Sequence, residues 1–349
     1  MLFRSVAGLL VAGAALRQIA RHLGCAPSTV QRLSVRLGRH ATLFQRRAYH
    51  EIKRIEEPVV FDHFESFVRS QVERLGVGTP VGQGSWYVFP LSAARYRGST
   101  RRSRRKRALQ RAIEPTSPGA VVRSAEKTLE MLLRKVDGEL DLVSDDHPAY
   151  RSAAGRCGGR IRHRVYANPD RSPGREVRRA RSRNREVFAG DLLHKLMRHC
   201  QAHHRRETIA FSRRLNALLE RAFLLVVWRN FVKGRSERRT REATPAMQVG
   251  LTDERWSWSR VLAQRLFPSR IELPERHEGH LEFRGPSATS GYYRNPEATK
   301  QLFDGGWLRT GDRAYFADGN LFLTGREKDI IIRGGRNVSP YEQIGRAHV

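Results

Sequence analysis

The sequence predicts an α/β chain in three parts: a helical N-terminal region, a central mixed sheet with helices, and a short β-rich tail. Three observations carry this: helically spaced apolar residues near the start, apolar strands that end in acids in the middle, and a step in charge near residue 270. The chain has 349 residues and a net charge of +30, long enough for two domains with buried cores. From Pro274 to Glu342 ten Lys/Arg face ten Asp/Glu, so that stretch is neutral and nearly all the basic surplus precedes Arg270. Such a step marks a domain boundary or two unrelated origins. The surplus itself calls for a polyanionic partner.

Cys25, Cys157 and Cys200 are far apart and form no CxxC pair. They offer no disulfide framework and no zinc site, and they fit a reducing cytosol. The apolar run Val6–Leu16 follows Arg4 like a short signal peptide, but it cannot span a bilayer and leads straight into a helical pattern. No membrane partner is expected. The ends have their own pattern. Met1–Ser5 can be written GTG CTC TTC CGA TCT, and Gln343–Val349 CAG ATC GGA AGA GCA CAC GTC. The first is the reverse complement of a string inside the second, and both resemble translated sequencing adapter. Residues 1–5 and 343–349 are therefore set aside from fold reasoning.

Within the expected 6–50 region, Leu16–Leu33 has helix-turn-helix spacing. Ile19, Ala20 and Leu23 form the inner face of one helix, and Gly24 supplies the turn. Pro27 suits the first turn of a second helix, which packs Val30 and Leu33 inward. Ser28, Thr29, Gln31 and Arg32 are left to face a DNA major groove. An ordinary helical hairpin would show the same spacing.

In the 51–270 region, Glu57–Phe67 is an apolar strand that delivers Asp62, and Trp86–Leu91 is a second. Ala125–Arg134 has helical periodicity through Leu129, Leu132 and Leu133. Leu140–Tyr150 begins as a strand and ends in Asp145 and Asp146, and Ile161–Tyr166 reads as a further strand. A long helix is expected from about Asp191 to Val232, carrying Glu207. Strand-acid, strand-acid, helix-acid is the order that converges carboxylates in a ribonuclease-H-like fold. Phosphoryl transfer on DNA uses two Mg²⁺ (or Mn²⁺) ions, one for the attacking and one for the leaving oxygen. Asp62, Asp145 and Glu207 form the expected catalytic and metal-binding triad, with Asp146 and Glu220 as rivals. Arg214, two helical turns beyond Glu207, would touch a target phosphate. Each acid alone has a plainer reading as a turn, a cap or an ion-pair partner.

Phe61–Phe67, Ser144–Tyr150, Arg205–Phe211, Val227–Lys233 and Thr244–Thr252, taken in order, resemble a bacterial insertion-sequence transposase of the DDE type. The resemblance covers about residues 16–270. It implies metal-dependent strand cleavage and transfer at terminal inverted repeats, with target DNA as second partner, a homo-oligomeric assembly and a nucleoid location in a bacterial cytoplasm. Arg101, Arg102, Arg104 and Arg105, in the basic run of residues 95–111, would grip DNA phosphates, as would 171–185; a solvated loop is the other reading. Trp228, Trp256 and Trp258 are expected in the core. His199, His203 and His204 lack a partner ligand set for zinc.

The tail changes style. Glu282–Thr299, Gly306–Asp312, Asp318–Asp329 and Ile330–Glu342 are closely spaced motifs, with a hairpin signal at Asp318-Gly319. They resemble an adenylate-forming acyl-CoA synthetase over 274–342. The resemblance implies that Asp312 binds the ribose hydroxyls of ATP, with Arg326 assisting. Lys328 would be the inter-domain hinge, and Gly334 and Gly335 would lie near the CoA path. The phosphate loop, the large substrate domain and the catalytic lysine are missing, so ATP and CoA would be used only by a complete enzyme and no ligase activity is expected. A seam near Ile271–Arg276 joins the parts. The main expectation is a DNA transposase carrying a non-functional synthetase fragment. The alternatives are an AMP-binding ligase fragment and a DNA-binding protein without catalysis.

Overall fold

The computed structural model describes residues 2–97, 119–168, 177–206, 208–236, 239, 242–264, 266, 278–285, 289–292, 295–317, 320–326, 331–333 and 336–338. The chain divides into two units, Met1–Leu266 and Phe267–Val349.

Three helices open the first unit: α1 (Leu2–Val11), α2 (Leu16–His22) and α3 (Pro27–Glu51). Val6, Ala7, Leu10 and Val11 recur at helical spacing and are buried. Leu2–Ser5, set aside on sequence grounds, form the first turn of α1, and the Arg36 guanidinium sits 5.3 Å from the Phe3 ring centre. Gly24 makes the turn after α2 at φ +62°, where a side chain would be strained. Pro27 starts α3, and Val30 and Leu33 turn inward. The helix then runs for 25 residues, with Leu37, Ala41, Phe44 and Ala48 extending the same buried face.

A five-stranded mixed sheet follows, in the order β3-β2-β1-β4-β5. Strands β1 (Val59–Val68), β2 (Ser70–Gly82) and β3 (Ser92–Arg97) are antiparallel neighbours. Helix α4 (Ala120–Leu133) leads to β4 (Leu140–Ser144), and α5 (Pro148–Arg156) to β5 (Ile161–Val165). Both β4 and β5 pair in parallel, β4 against β1.

Three local expectations are corrected. Trp86–Leu91 is not a strand: it makes one isolated bridge, Val81 to Val88. Trp86, Tyr87 and Phe89 bond to the backbone of Gly82 and Pro80, but Val88 turns to side chains, its N–H donating to Asn230 Oδ1 and its carbonyl accepting from Gln45 and Asn230. Conversely, the long strand β2 was not foreseen, because Gly76, Gly78, Pro80 and Gly82 read as turn residues. The helix expected from 191 to 232 is broken. After a separate helix α6 (Val177–Glu186), it resolves into α7 (Phe188–Cys200), a 3₁₀ turn (Ala202–His204), α8 (Leu215–Val227) and a π turn (Trp228–Val232). Ser212 bridges to Val68 and accepts from the Arg69 N–H at 2.8 Å, which holds the chain extended where helix was expected. Arg214 is therefore the extended N-cap of α8, not a residue two turns along a shared helix.

Short helices α9 (Pro245–Gln248) and α10 (Trp258–Ala263) complete this unit. Trp228, Trp256 and Trp258 pack against the core, as expected. Among the described residues no helix is long and apolar enough to cross a membrane.

The second unit is β-rich. It contains β6 (Gly279–Phe283), α11 (Pro296–Leu302), β7 (Phe303–Asp304), β8 (Trp307–Ala317), β9 (Asn320–Arg326), β10 (Ile331–Arg333) and β11 (Arg336–Val338). Strand β8 pairs antiparallel with β6, β7 and β9. Ala317 pairs with Asn320, flanking the expected hairpin turn at 318–319, whose two residues lie outside those described.

The contact of α3 with α8 is close at Gly38. A Cβ there would lie 2.4 Å from the Glu220 Cβ and 3.0 Å from its carbonyl carbon and oxygen. Glu220, the rival third acid, is thus engaged in helix packing, with Arg39 3.4 Å from its carboxylate. Gly38→Val is expected to destabilise the fold by about 1–3 kcal/mol through overpacking. An unchanged urea midpoint would show that the two helices part easily.

Candidate functional sites

The sheet register brings two of the expected acids together. Val60 pairs with Val143 in the parallel β1–β4 ladder, so two residues further along Asp62 comes level with Asp145. The Asp145 charge helps to raise the Asp62 carboxyl, second to burial, from 3.8 to about 7. Asp146 is exposed, so Asp145 is the residue facing Asp62. Asp145 accepts from the His147 N–H at 3.1 Å and from Asn168 Nδ2 at 3.3 Å. Glu207 lies outside the described residues, and so do Arg101, Arg102, Arg104, Arg105 and Lys328.

Around Asp62 stand partners that sequence reasoning missed. Tyr150 donates its hydroxyl to Asp62 Oδ1 at 2.9 Å, and the His63 N–H reaches the same oxygen at 2.7 Å. Burial and then the Asp62 charge push the Tyr150 hydroxyl well up, so it stays a donor. On the other side, Thr79 Oγ1 donates to the Asp62 carbonyl at 2.8 Å. Its single proton being used there, Thr79 accepts from His194 Nε2, also at 2.8 Å. That assigns the His194 tautomer and leaves Nδ1 bare, 3.7 Å from Asp62 Oδ2. Burial holds His194 down at about 4 and His63 at about 3, so both rings are neutral near pH 7. Tyr150 lay within a quoted motif, but nothing local to His194 or Thr79 marked them. Only the packing of α7 on β1 and β2 brings them in.

The expected DNA-facing residues of α3 are only partly free. Ser28, Gln31 and Arg32 are exposed, and Thr29 is half-buried. His203 and His204 are fully buried neutral rings 4.1 Å apart, with His204 Nδ1 2.9 Å from Ser66 Oγ. Among the described residues no three His, Cys, Asp or Glu side chains are grouped to hold a metal ion.

In the second unit Asp312 and Arg326 are paired residues of β8 and β9, and the Arg326 Nε donates to Asp312 Oδ1 at 2.7 Å. The Asp312 N–H is bonded by Thr310 Oγ1 at 3.0 Å, and Gly311 beside it has φ +74°, a turn of backbone that suits glycine. The two residues that the synthetase resemblance assigns to one task are therefore in contact.

No protein-family model matches the chain. About a fifth of it is homologous to acyl-CoA ligases and adenylation domains. It is 51% identical over 67 residues to an oxalate–CoA ligase of Arabidopsis thaliana, covering 19% of this chain and 13% of the relative. It is 47% identical over 75 residues to an acyl-CoA ligase of Cochliobolus lunatus, covering 21% and 22%. Among solved structures, the adenylation domain of a keto acid-selecting NRPS module is 49% identical over 20% of this chain and 13% of that one, with a TM-score of 0.16. The chain thus spans between an eighth and a quarter of the length of these relatives, and the kinship rests on identity rather than on superposition.

These relatives overturn the expectation of a DNA transposase. They are ligases and adenylation domains, and they favour the alternative reading, an AMP-binding ligase fragment. The expected partners, inverted repeats and target DNA, are corrected with it, since the relatives are ligases of small molecules. Of the expected fold, the structure shows helices with a mixed sheet.

The Asp62 carboxyl sets a pH dependence. Its folded pKa lies above the unfolded value, so the folded chain binds this proton more tightly. The resulting stability is complete below about pH 4, declines as pH rises and is gone above about pH 7. The side chain keeps 37% exposure, so solvent reduces the size of the effect. Asp62→Asn is expected to flatten this decline, gaining on the parent between about pH 5 and about pH 8 in urea unfolding. Parallel pH profiles for the two proteins would refute it.

Proposed function

We propose that residues 274–342 are a fragment of an adenylate-forming acyl-CoA synthetase, in which Asp312 and Arg326 are the ribose-facing corner of a nucleotide site. What carries this is the identity of about half the residues over 67, a length that the 274–342 segment accommodates. The geometry agrees with it. Arg326 orients the Asp312 carboxylate and leaves Oδ2 to accept from a ribose hydroxyl.

The sheet also has the character of a part. Leu321, Phe322 and Leu323 on β9 are 42%, 42% and 64% exposed. Successive strand residues point to opposite faces, so neither face of β9 is well covered. A large apolar surface of that kind calls for a covering partner. ATP and CoA are the cofactors this reading implies. The corner fits a ribose, while residues 327–330 and 334–335, which include Lys328 and the two glycines of the CoA path, lie outside those described.

A second site reading rests on Asp62. Its Oδ2 faces a bare imidazole nitrogen without a hydrogen bond and stands level with Asp145. A hard divalent cation, Mg²⁺ or Mn²⁺, between the two carboxylates would neutralise them and complete its shell with water. Glu207 is the third carboxylate the sequence offers.

Titrating adenosine, which offers the ribose without the phosphates, into the full chain by calorimetry is expected to give weak binding, with Kd on the order of 1 mM, lost in Asp312→Asn. No ATP-dependent thioester should form, and undiminished binding by the variant would dispose of the ribose corner. For the cation, Mn²⁺ followed by electron paramagnetic resonance should bind the parent and Asp146→Asn alike but not Asp62→Asn. Equal binding by all three would remove Asp62 from the site.

A further inference from the structure

The connection between β1 and β2 is a single residue. Strand β1 ends at Val68 and β2 begins at Ser70, with Arg69 between them at φ +59°. A non-glycine residue is costly there and persists only where its surroundings hold it. Arg69 is held twice, its N–H donating to the Ser212 carbonyl at 2.8 Å and its Nε to the Arg213 carbonyl at 3.3 Å. These bonds fasten the segment entering α8 onto the corner of the β1–β2 hairpin.

The result is a cleft of about 260 Å³, whose polar lining is Arg69, Glu73, Arg95, Arg213, Arg214 and Asn216. This is far more room than the roughly 10–15 Å³ that a single ordered water needs. Four arginines and one glutamate line it, and among the described residues no acid forms an ion pair with any of the four. Like charges gathered on one wall repel one another, by about 1 kcal/mol per pair at 4 Å in water and more where solvent is displaced. Among the described residues that line the cleft, Glu73 is the one acid, so positive charge is in excess.

The backbone adds to this. Helix α8 is 13 residues long, and its N-cap, Arg214, makes no side-chain capping bond. The first N–H groups of a helix have no intrahelical acceptor and carry a partial positive charge. Here Leu215 and Asn216, the first two helical residues, line the same cleft. Planar guanidinium forks suit a multiply charged oxyanion with several acceptor oxygens better than a monoanionic carboxylate.

We propose that this cleft between the β1–β2 corner and the start of α8 is a binding site for a small phosphorylated anion such as pyrophosphate or a phosphate monoester. Val68 and Leu215 give it an apolar floor, and Glu73 leaves a local surplus of three positive charges.

The chain is so basic that any anion will associate with it to some degree, so the test separates a site from the general field. Calorimetric titration of the full chain at low ionic strength, with pyrophosphate, inorganic phosphate, AMP and acetate in turn, should show one saturable site for the phosphates and none for acetate. The Arg213→Gln, Arg214→Gln double variant should weaken pyrophosphate binding roughly tenfold or more. An equal-charge control, Arg17→Gln with Arg21→Gln on the exposed face of α2, should leave it unchanged. Arg95→Gln, from strand β3, supplies an independent loss should the double variant misfold. Preference for AMP over pyrophosphate would mark the ligand as a monoester; the reverse would mark it as free pyrophosphate. The proposal is overturned if both double variants lose affinity equally, if Arg95→Gln binds as the parent does, or if acetate binds as well as phosphate.

Discussion

Strand β1 is hydrogen-bonded along both edges, antiparallel to β2 and parallel to β4, and the first unit is organised by that double pairing. A central strand must satisfy its backbone on both sides and bury apolar side chains on both faces. Val59, Val60, Phe61, Phe64 and Val68 meet this demand. Asp62 interrupts it two residues beyond the last pair of the parallel ladder, where the Tyr150 hydroxyl and the His63 N–H donate to its carboxylate. A one-residue slip would exchange the two faces and carry Asp62 away from the Tyr150 hydroxyl and the His194 ring that stand beside it. Register, packing and the raised carboxyl pKa are thus one constraint.

The environment of Asp62 shows what this costs and how it is offset. Tyr150, the His63 N–H and the His194 ring surround a carboxylate that burial and Asp145 both disfavour. An isolated buried charge is expensive, so the group either takes a proton or gains a counter-charge. The arginine-lined cleft at the other end of β1 poses the opposite problem, four arginines beside one acid, Glu73. Both are local imbalances placed by the same strand.

The second unit has a different character. Its net charge is near zero, and we assign to it the stretch of about 70 residues over which the chain is similar to ligases. The ordered motifs around Asp62, Asp145 and Glu207 led toward DNA chemistry, and the relatives lead instead to adenylate-forming enzymes. Of these carboxylates Asp62 and Asp145 stand side by side, and Glu207 lies outside the described residues. Their meeting in space is a matter of sheet order, and does not specify what is bound there.

Much of the local structure was legible because it follows from period and capping. The burial of Ile19, Val30 and Leu33, the turn at Gly24, the strands at Asp62 and Asp145, and the helix carrying Leu129 and Leu132 all depend on residues within a few positions of one another. The hairpin signal at 318–319 was legible too, but the pairing of Asp312 with Arg326 was not: a bulge between Arg313 and Ala314 shifts the register by one residue and sets Arg326, not Gly325, opposite Asp312. Tertiary structure alone decided the rest. Glycines and Pro80 became a strand because neighbours on both sides supply hydrogen-bond partners, and Trp86–Leu91 lost its strand to the side chains of Gln45 and Asn230. The expected long helix was broken by a bridge between Ser212 and Val68, more than a hundred residues apart. His194, Thr79 and the four arginines came together for the same reason: long-range backbone pairing overrides local propensity wherever it satisfies more buried polar groups.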